Sequence, residues 1–295
     1  MTDSPITILD GGLSTALAEL GHSVGGPVWT SELLVTEPDA VVAAHRGFVD
    51  AGAEIIITGS YQLSLESGRA AGWSDEDIET AVRNSTTAAR LAANDETLVA
   101  ASIGPFGATL PGGAEFTGEY ETAWTVIRDF HAKRLDSLLT TEPDLLAIET
   151  MPDLTEIDIV LELLTERAPD LSLWVTCTIG EVGLTRTGQP FQEVAARVES
   201  HASAIAVGIN CSAPHLIAPT LAGADTELPF IVYPNLGQTW NGDTQQWGGD
   251  AQISTVDDLI AWIDLGARII GGCCGYGVNE IRTLAATVRQ ITASE

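Results

Sequence analysis

The chain has 295 residues, 41 of them acidic and 13 basic, for a formal charge of −28. That field repels nucleic-acid phosphates and anionic lipid headgroups, so neither nucleic acid nor membrane is expected as a partner. A hydrophobic content of 45% supplies a sizeable core and excludes a disordered chain. Lys133 is the one lysine. Such a surface fits either a salt-adapted host, where salt screens self-repulsion, or an arginine-over-lysine bias in an ordinary acidic enzyme. Met1-Thr2-Asp3-Ser4-Pro5 lacks a basic segment followed by an apolar stretch, and no apolar run approaches the roughly 20 residues of a membrane helix. A cytoplasmic protein is expected. Four cysteines in a chain this long do not make a disulfide scaffold.

The first β-rich apolar run, residues 7–9, is closed by Asp10 and Gly11-Gly12. That glycine pair is not a G-x-G-x-x-G fingerprint, so no dinucleotide site is expected. A helical pattern over residues 41–49 carries His45, expected in a structural hydrogen bond. The second run, residues 54–58, ends at Thr58 with Ser60 behind it. Residues 75–93 are periodic at Ile78, Ala81, Val82, Ala88, Ala89 and Leu91, with Ser74 as N-cap and Asp77 three positions on. Runs follow at 97–103, at 145–148 before Glu149, and at 173–179, with Cys177 inside the last as a core or barrel-lumen side chain. The remaining three are 204–209 before Cys211, 230–233 before Asn235, and 267–270 before Cys273 and Cys274. Helical patterns at 156–168, 191–201, 256–265 and 279–292 separate them.

Eight strands alternating with helices, without a linker or low-complexity tract, predict one (β/α)8 TIM barrel over residues 1–295, with a doubly wound sheet as runner-up. Asp10, Thr58, Glu149, Cys211, Asn235, Cys273 and Cys274 all fall at C-terminal strand ends, where a barrel places its active site.

Cys273 and Cys274 are adjacent between glycines and form a poor pair for a disulfide. With Cys211, two strands earlier, they offer three thiolates to one soft metal, and zinc suits such a set best. Three protein ligands leave a fourth position open. The complex carries net negative charge, so it is a weak activator of water. An incoming thiol fits better, held as thiolate by the metal, and thiol alkylation is the natural reaction class.

Leu9-Asp10-Gly11-Gly12, the segment from Ala51-Gly52-Ala53 to Thr58-Gly59-Ser60-Tyr61-Gln62, and Ser102-Ile103-Gly104-Pro105-Phe106-Gly107 resemble the homocysteine S-methyltransferase family. So do Ile148-Glu149-Thr150, Gly208-Ile209-Asn210-Cys211, Val232-Tyr233-Pro234-Asn235 and Gly271-Gly272-Cys273-Cys274-Gly275, which carry the similarity nearly end to end. The resemblance, close to S-methylmethionine-dependent members, implies that Cys211, Cys273 and Cys274 ligate zinc (Zn2+) and homocysteine sulfur is the fourth ligand. It implies that Asp10 and Gly11 bind homocysteine, that Glu149 holds its amino group, and that Thr58 contacts substrate. Asn235 is expected near the zinc or the substrate, with a turn-forming role as the alternative. Trp29, Tyr61 and Phe106 are aromatics that could wall a sulfonium donor or simply pack.

The expected products and partners follow. Homocysteine thiolate takes a methyl group from S-methylmethionine, with S-adenosylmethionine second and betaine third, giving methionine. A non-catalytic zinc- or redox-sensing barrel is the rival from another class, and a thiol-independent metallo-lyase or hydrolase a second enzyme rival. The length leaves no room for folate- or cobalamin-binding modules.

Overall fold

The computed structural model describes residues 5–23, 28, 30–110, 112–241 and 246–293. Eight parallel strands form the central sheet. They are β1 (Thr7–Ile8), β2 (Ile55–Ile57), β3 (Leu98–Ile103), β4 (Leu145–Met151), β5 (Leu173–Cys177), β6 (Ala204–Asn210), β7 (Phe230–Tyr233) and β8 (Ala267–Ile270). Each strand pairs with its neighbours in sequence, and β8 returns to β1 through Thr7 opposite Ile269. A bridge between Leu9 and Ile55 joins β1 to β2, with Asp10 N–H donating to the Ile55 carbonyl at 3.1 Å. The sheet thus comes round on itself as the expected (β/α)8 barrel, nearly closed by this bridge at the β1–β2 seam.

Two apolar layers result. Val99, Ile148, Val175 and Val207 point outward into the helices, while Leu145, Trp174, Ile231, Tyr233 and Ile269 point into the barrel. Ala100, Ala147 and Ala206 leave the interior room for the Trp174 indole, whose Nε1 donates to the Tyr233 hydroxyl at 3.1 Å. Tyr233 also shares a 2.8 Å bond with Thr176. This stack floors the barrel's upper end. Gly208 is required where β6 meets β7, since a Cβ there would lie 1.8 Å from the Ile231 carbonyl oxygen.

The helices begin and end where local chemistry directs. Ser74 and Asp77 cap the helix Asp75–Ala92 reciprocally, with Ser74 N–H to Asp77 Oδ2 at 3.0 Å and Asp77 N–H to Ser74 Oγ at 3.2 Å. Thr255 and Asp258 do the same for Val256–Asp264. Pro38 opens Pro38–Ala51, and Gly52 at φ 108 ends it. Its inner face buries Val41, Ala44 and Phe48, with Val41 and Phe48 each contributing about 1.5–3 kcal/mol.

Differences from the sequence reading are local. Strand β4 runs on through Glu149 and Thr150 to Met151, with a register shift after Ile148. Strand β5 stops at Cys177, which is therefore its last residue and faces the helix layer, not the lumen. His45 is fully buried, and neither ring nitrogen has a hydrogen-bond partner, in place of the expected structural bond. Among the described residues, no helix is long and apolar enough to cross a membrane.

Candidate active site

A solvent-open cavity lies over the C-terminal ends of the strands. Cys211, Cys273 and Cys274 form part of its wall, with Gly11, Thr58, Tyr61, Glu115, Glu149 and Tyr233 among the others.

The cysteines arrive from two strand ends. Cys211 follows β6 at φ 45, its N–H donating to the Tyr233 carbonyl at 3.1 Å. Its own carbonyl accepts from Asn235 Nδ2 at 3.0 Å and from Thr178 Oγ1 at 3.3 Å. After β8 the backbone crosses between its neighbours, with Gly272 N–H on the Asp10 carbonyl at 3.0 Å and Cys273 N–H on the Pro234 carbonyl at 2.7 Å. Glycine is required at 272, where a Cβ would lie 2.3 Å from Tyr276. It is required again at Gly275, at φ 87 against Leu236. These constraints explain the glycines that bracket the cysteine pair.

The three sulfurs lie within 4.8 Å of one another. Cys274 Sγ is 4.0 Å from each of the other two. Cys211 and Cys273 are joined as a disulfide, with Cα atoms 5.5 Å apart. That differs from the three free thiolates read from sequence, whereas the adjacent pair, Cys273 and Cys274, is not bonded. Three sulfurs this close suit one soft cation once the disulfide is reduced. Among the described residues, no fourth histidine, cysteine or carboxylate joins the group. Cys177 lies outside it, and burial pushes its thiol well up.

Glu149 reaches the cavity from β4 and is 8% exposed. Burial lifts its carboxyl to about 7, against hydrogen bonds from Ser102 and Tyr233 and the charge of Arg134. Thr58 lines the cavity and is fixed by Ser60 at 2.8 Å and by Ser102 N–H at 3.1 Å. Gly11 lines it too. Asp10 lies below, where its Oδ2 accepts from Ile57 N–H at 2.8 Å and burial raises its carboxyl well above the usual range. Asn235 sits behind the cysteines, bonding the Cys211 carbonyl and accepting from Gly237 N–H at 2.9 Å. It lines a small adjoining pocket beside Cys274 and not the main cavity.

Of the three aromatics singled out, Tyr61 lines the cavity. Phe106 turns away and packs edge-on against Tyr120 and Phe130. Trp29 lies outside the described residues.

Several residues escaped the sequence reading. Thr150 lines the cavity in the left-handed region at φ 60. Glu115 enters from a 3-10 turn, Ala114–Phe116, in the long β3–β4 connection. Arg134, 3% exposed, donates to the Gly104 carbonyl at 2.7 Å, to Ser60 at 2.8 Å and to Tyr61. It pins the loops after β2 and β3, and burial lowers it only to about 10, so it stays charged. The signal for Glu115 was present in its setting, Gly112-Gly113-Ala114-Glu115-Phe116-Thr117-Gly118, a carboxylate bracketed by glycines after a strand.

The sequence model described as homocysteine S-methyltransferase matches residues 7–288. The homocysteine S-methyltransferase of Escherichia coli K12 is 33% identical over 95% of this chain and 94% of its own length. Homocysteine S-methyltransferase 4 of Zea mays is 32% identical over 96% of this chain and 89% of its own. Crystal structures of the E. coli homocysteine methyltransferase MmuM, in metallated and oxidized forms, each superpose with a TM-score of 0.84 at 32% identity, covering 96% of both chains. Matched over its whole barrel, this chain belongs to the homocysteine S-methyltransferase family.

Proposed function

We propose that this enzyme makes methionine from homocysteine, with a sulfonium methyl donor and a zinc ion held by Cys211, Cys273 and Cys274. The carrying observation is the pairing of three sulfurs within 4.8 Å with a cavity whose wall includes the carboxylates of Glu115 and Glu149. No lysine, arginine or histidine lines it among the described residues. The internal segments 24–27, 29, 111 and 242–245 contain none either. A metallated form of the E. coli relative supports the metal. Reduction of the Cys211–Cys273 bond is the precondition for holding it.

When bound, zinc would lower the acceptor thiol's pKa and so supply a thiolate at neutral pH. The chain's own residues do the rest. Glu149, held by Ser102, Tyr233 and Arg134, takes the acceptor's ammonium group. Gly11, Thr58 and Asp10 form and brace the wall beside it. Asn235 fixes the backbone of Cys211 from behind. In the transfer, the acceptor sulfur supplies the electron pair for the new S–CH3 bond. The donor's S–CH3 pair stays on its sulfur, which leaves as a neutral thioether. No proton moves in that step, so no general base is needed. Orientation is then the main contribution of the cavity.

An acidic cavity favours donors with net positive charge. S-methylmethionine comes first, then S-adenosylmethionine, with zwitterionic betaine last. The test is incubation of the reduced, zinc-supplied enzyme with homocysteine and each donor, with detection of methionine. Metal analysis of Cys211→Ser and Cys274→Ser accompanies it, each expected to lower zinc content. No methionine with any sulfonium donor, or unchanged zinc in both variants, overturns the reading.

A further inference from the structure

Glu115 is a carboxylate that the acceptor does not account for. It is 9% exposed and lines the cavity, and its one hydrogen-bond partner among the described residues is its own backbone amide. Desolvation lifts its carboxyl to about 7, the mark of a buried acid lacking a counter-charge. The arginines near this wall are committed elsewhere. Arg134 serves three backbone carbonyls, and Arg186 lies 5.9 Å over the Phe116 ring and bonds Thr178. A buried carboxylate facing a solvent-open cavity without a protein cation is built for a cation that arrives from outside.

Its placement assigns the visitor. Glu149 belongs to strand β4 of the barrel itself. Glu115 stands on a separate turn in the β3–β4 connection, packed over the end of β4 and placed by glycines. Gly113 adopts φ 78 ahead of the turn, and a Cβ at Gly107 would lie 2.7 Å from Glu115 N. Tyr61 lines the same wall and offers an aromatic ring to a soft cation. The two carboxylates therefore reach the cavity from different elements, and a two-substrate reaction brings two cationic groups. Resting on the reading above, we propose that Glu115, with Tyr61, forms the subsite for the positive charge of the methyl donor, and so selects net-cationic donors over zwitterionic ones.

The experiment compares wild type, Glu115→Gln, Glu115→Asp and Glu149→Gln, each reduced and zinc-supplied. Donor and homocysteine KM are measured separately, and calorimetry follows S-methylmethionine binding without turnover. Loss of one partner of a buried charge pair predicts a donor KM and Kd raised about thirtyfold or more in Glu115→Gln. The homocysteine KM should stay within about twofold, and Glu115→Asp should recover much of the loss. Glu149→Gln should show the opposite split. The preference for S-methylmethionine over betaine should shrink in Glu115→Gln. An unchanged donor Kd, or a homocysteine KM that rises as much as the donor's, overturns the assignment. If the wild type makes no methionine from any sulfonium, the proposed reaction fails, while calorimetry on wild type and Glu115→Gln still decides the subsite.

Discussion

Asn210 and Thr150 hold each other across the top of β5. Asn210 Oδ1 accepts from Thr150 N–H and Nδ2 donates to Thr150 Oγ1, both at 2.8 Å. Thr150 needs the clamp, since a β-branched residue at φ 60 costs about 1–3 kcal/mol. Its strained backbone directly follows Glu149 and sets the direction in which that carboxylate enters the cavity.

Asn210→Ala should therefore damage more than stability. It leaves the buried Thr150 N–H unpaired, at about 1–3 kcal/mol. Urea denaturation should show that loss, and the homocysteine KM should rise with it. Adding Thr150→Gly, which tolerates positive φ, should recover part of the stability. A single variant with wild-type KM would show that the clamp does not position Glu149.

The bond from Asn235 to the Cys211 carbonyl makes a second prediction. Partners that orient metal ligands typically contribute 10–100-fold in metal affinity. Asn235→Ala should weaken zinc binding by about that factor, measured by chelator competition under reducing conditions, with all three cysteines intact. Cys177→Ser, on the helix side of β5, should leave zinc affinity at the wild-type value. Equal zinc affinity in Asn235→Ala and wild type would remove the positioning role.

The strand ends were legible because short apolar runs, buried on both faces of a parallel sheet, are bounded in sequence by turn and polar residues. Each run ended within a few residues of its strand, and the cysteine trio followed from two of those ends. The helix Trp124–Leu139 was not legible. Its inward face falls at Ile127, Phe130, His131, Arg134, Leu135 and Leu138, with ideal helical spacing. But His131 pairs with buried Glu156 at 2.7 Å and Arg134 serves backbone carbonyls, so two core positions read as polar. Glu115 was hidden for a related reason. A lone acid in a glycine-rich loop reads as solvated until the fold buries it. The disulfide could not be read either, because spacing reports convergence of sulfurs and not their oxidation state.

Burial at Glu149 gives a pH signature for acceptor binding. Its carboxyl is raised to about 7, with desolvation outweighing Ser102, Tyr233 and Arg134, and with Asp10 beside it. An ammonium group needs the ionised form. Affinity for methionine, the product and a ligand without a titrating thiol, should fall below about pH 7, by up to about tenfold per unit. Glu149→Gln should bind weakly and without that slope. Calorimetry from pH 6 to 8 reads both, and a flat wild-type profile would remove Glu149 from ammonium recognition.

His45 yields a prediction for stability alone. It lies in Pro38–Ala51, fully buried, with both ring nitrogens unpartnered, and desolvation lowers its pKa from 6.5 to about 4. Between those values the unfolded chain takes up a proton that the folded chain refuses. Stability is therefore complete above about pH 6.5 and lost as pH falls toward 4, at up to about 1.4 kcal/mol per unit. At pH 5 the loss from this one residue is about 2 kcal/mol. His45→Met has similar volume, needs no hydrogen bond and cannot titrate. Its advantage over wild type should be small at pH 8 and grow by about 2 kcal/mol at pH 5. Other groups titrate equally in both proteins, so the difference isolates His45. Parallel stability curves across that range would mean that the buried imidazole is protonated, or paired, inside the fold.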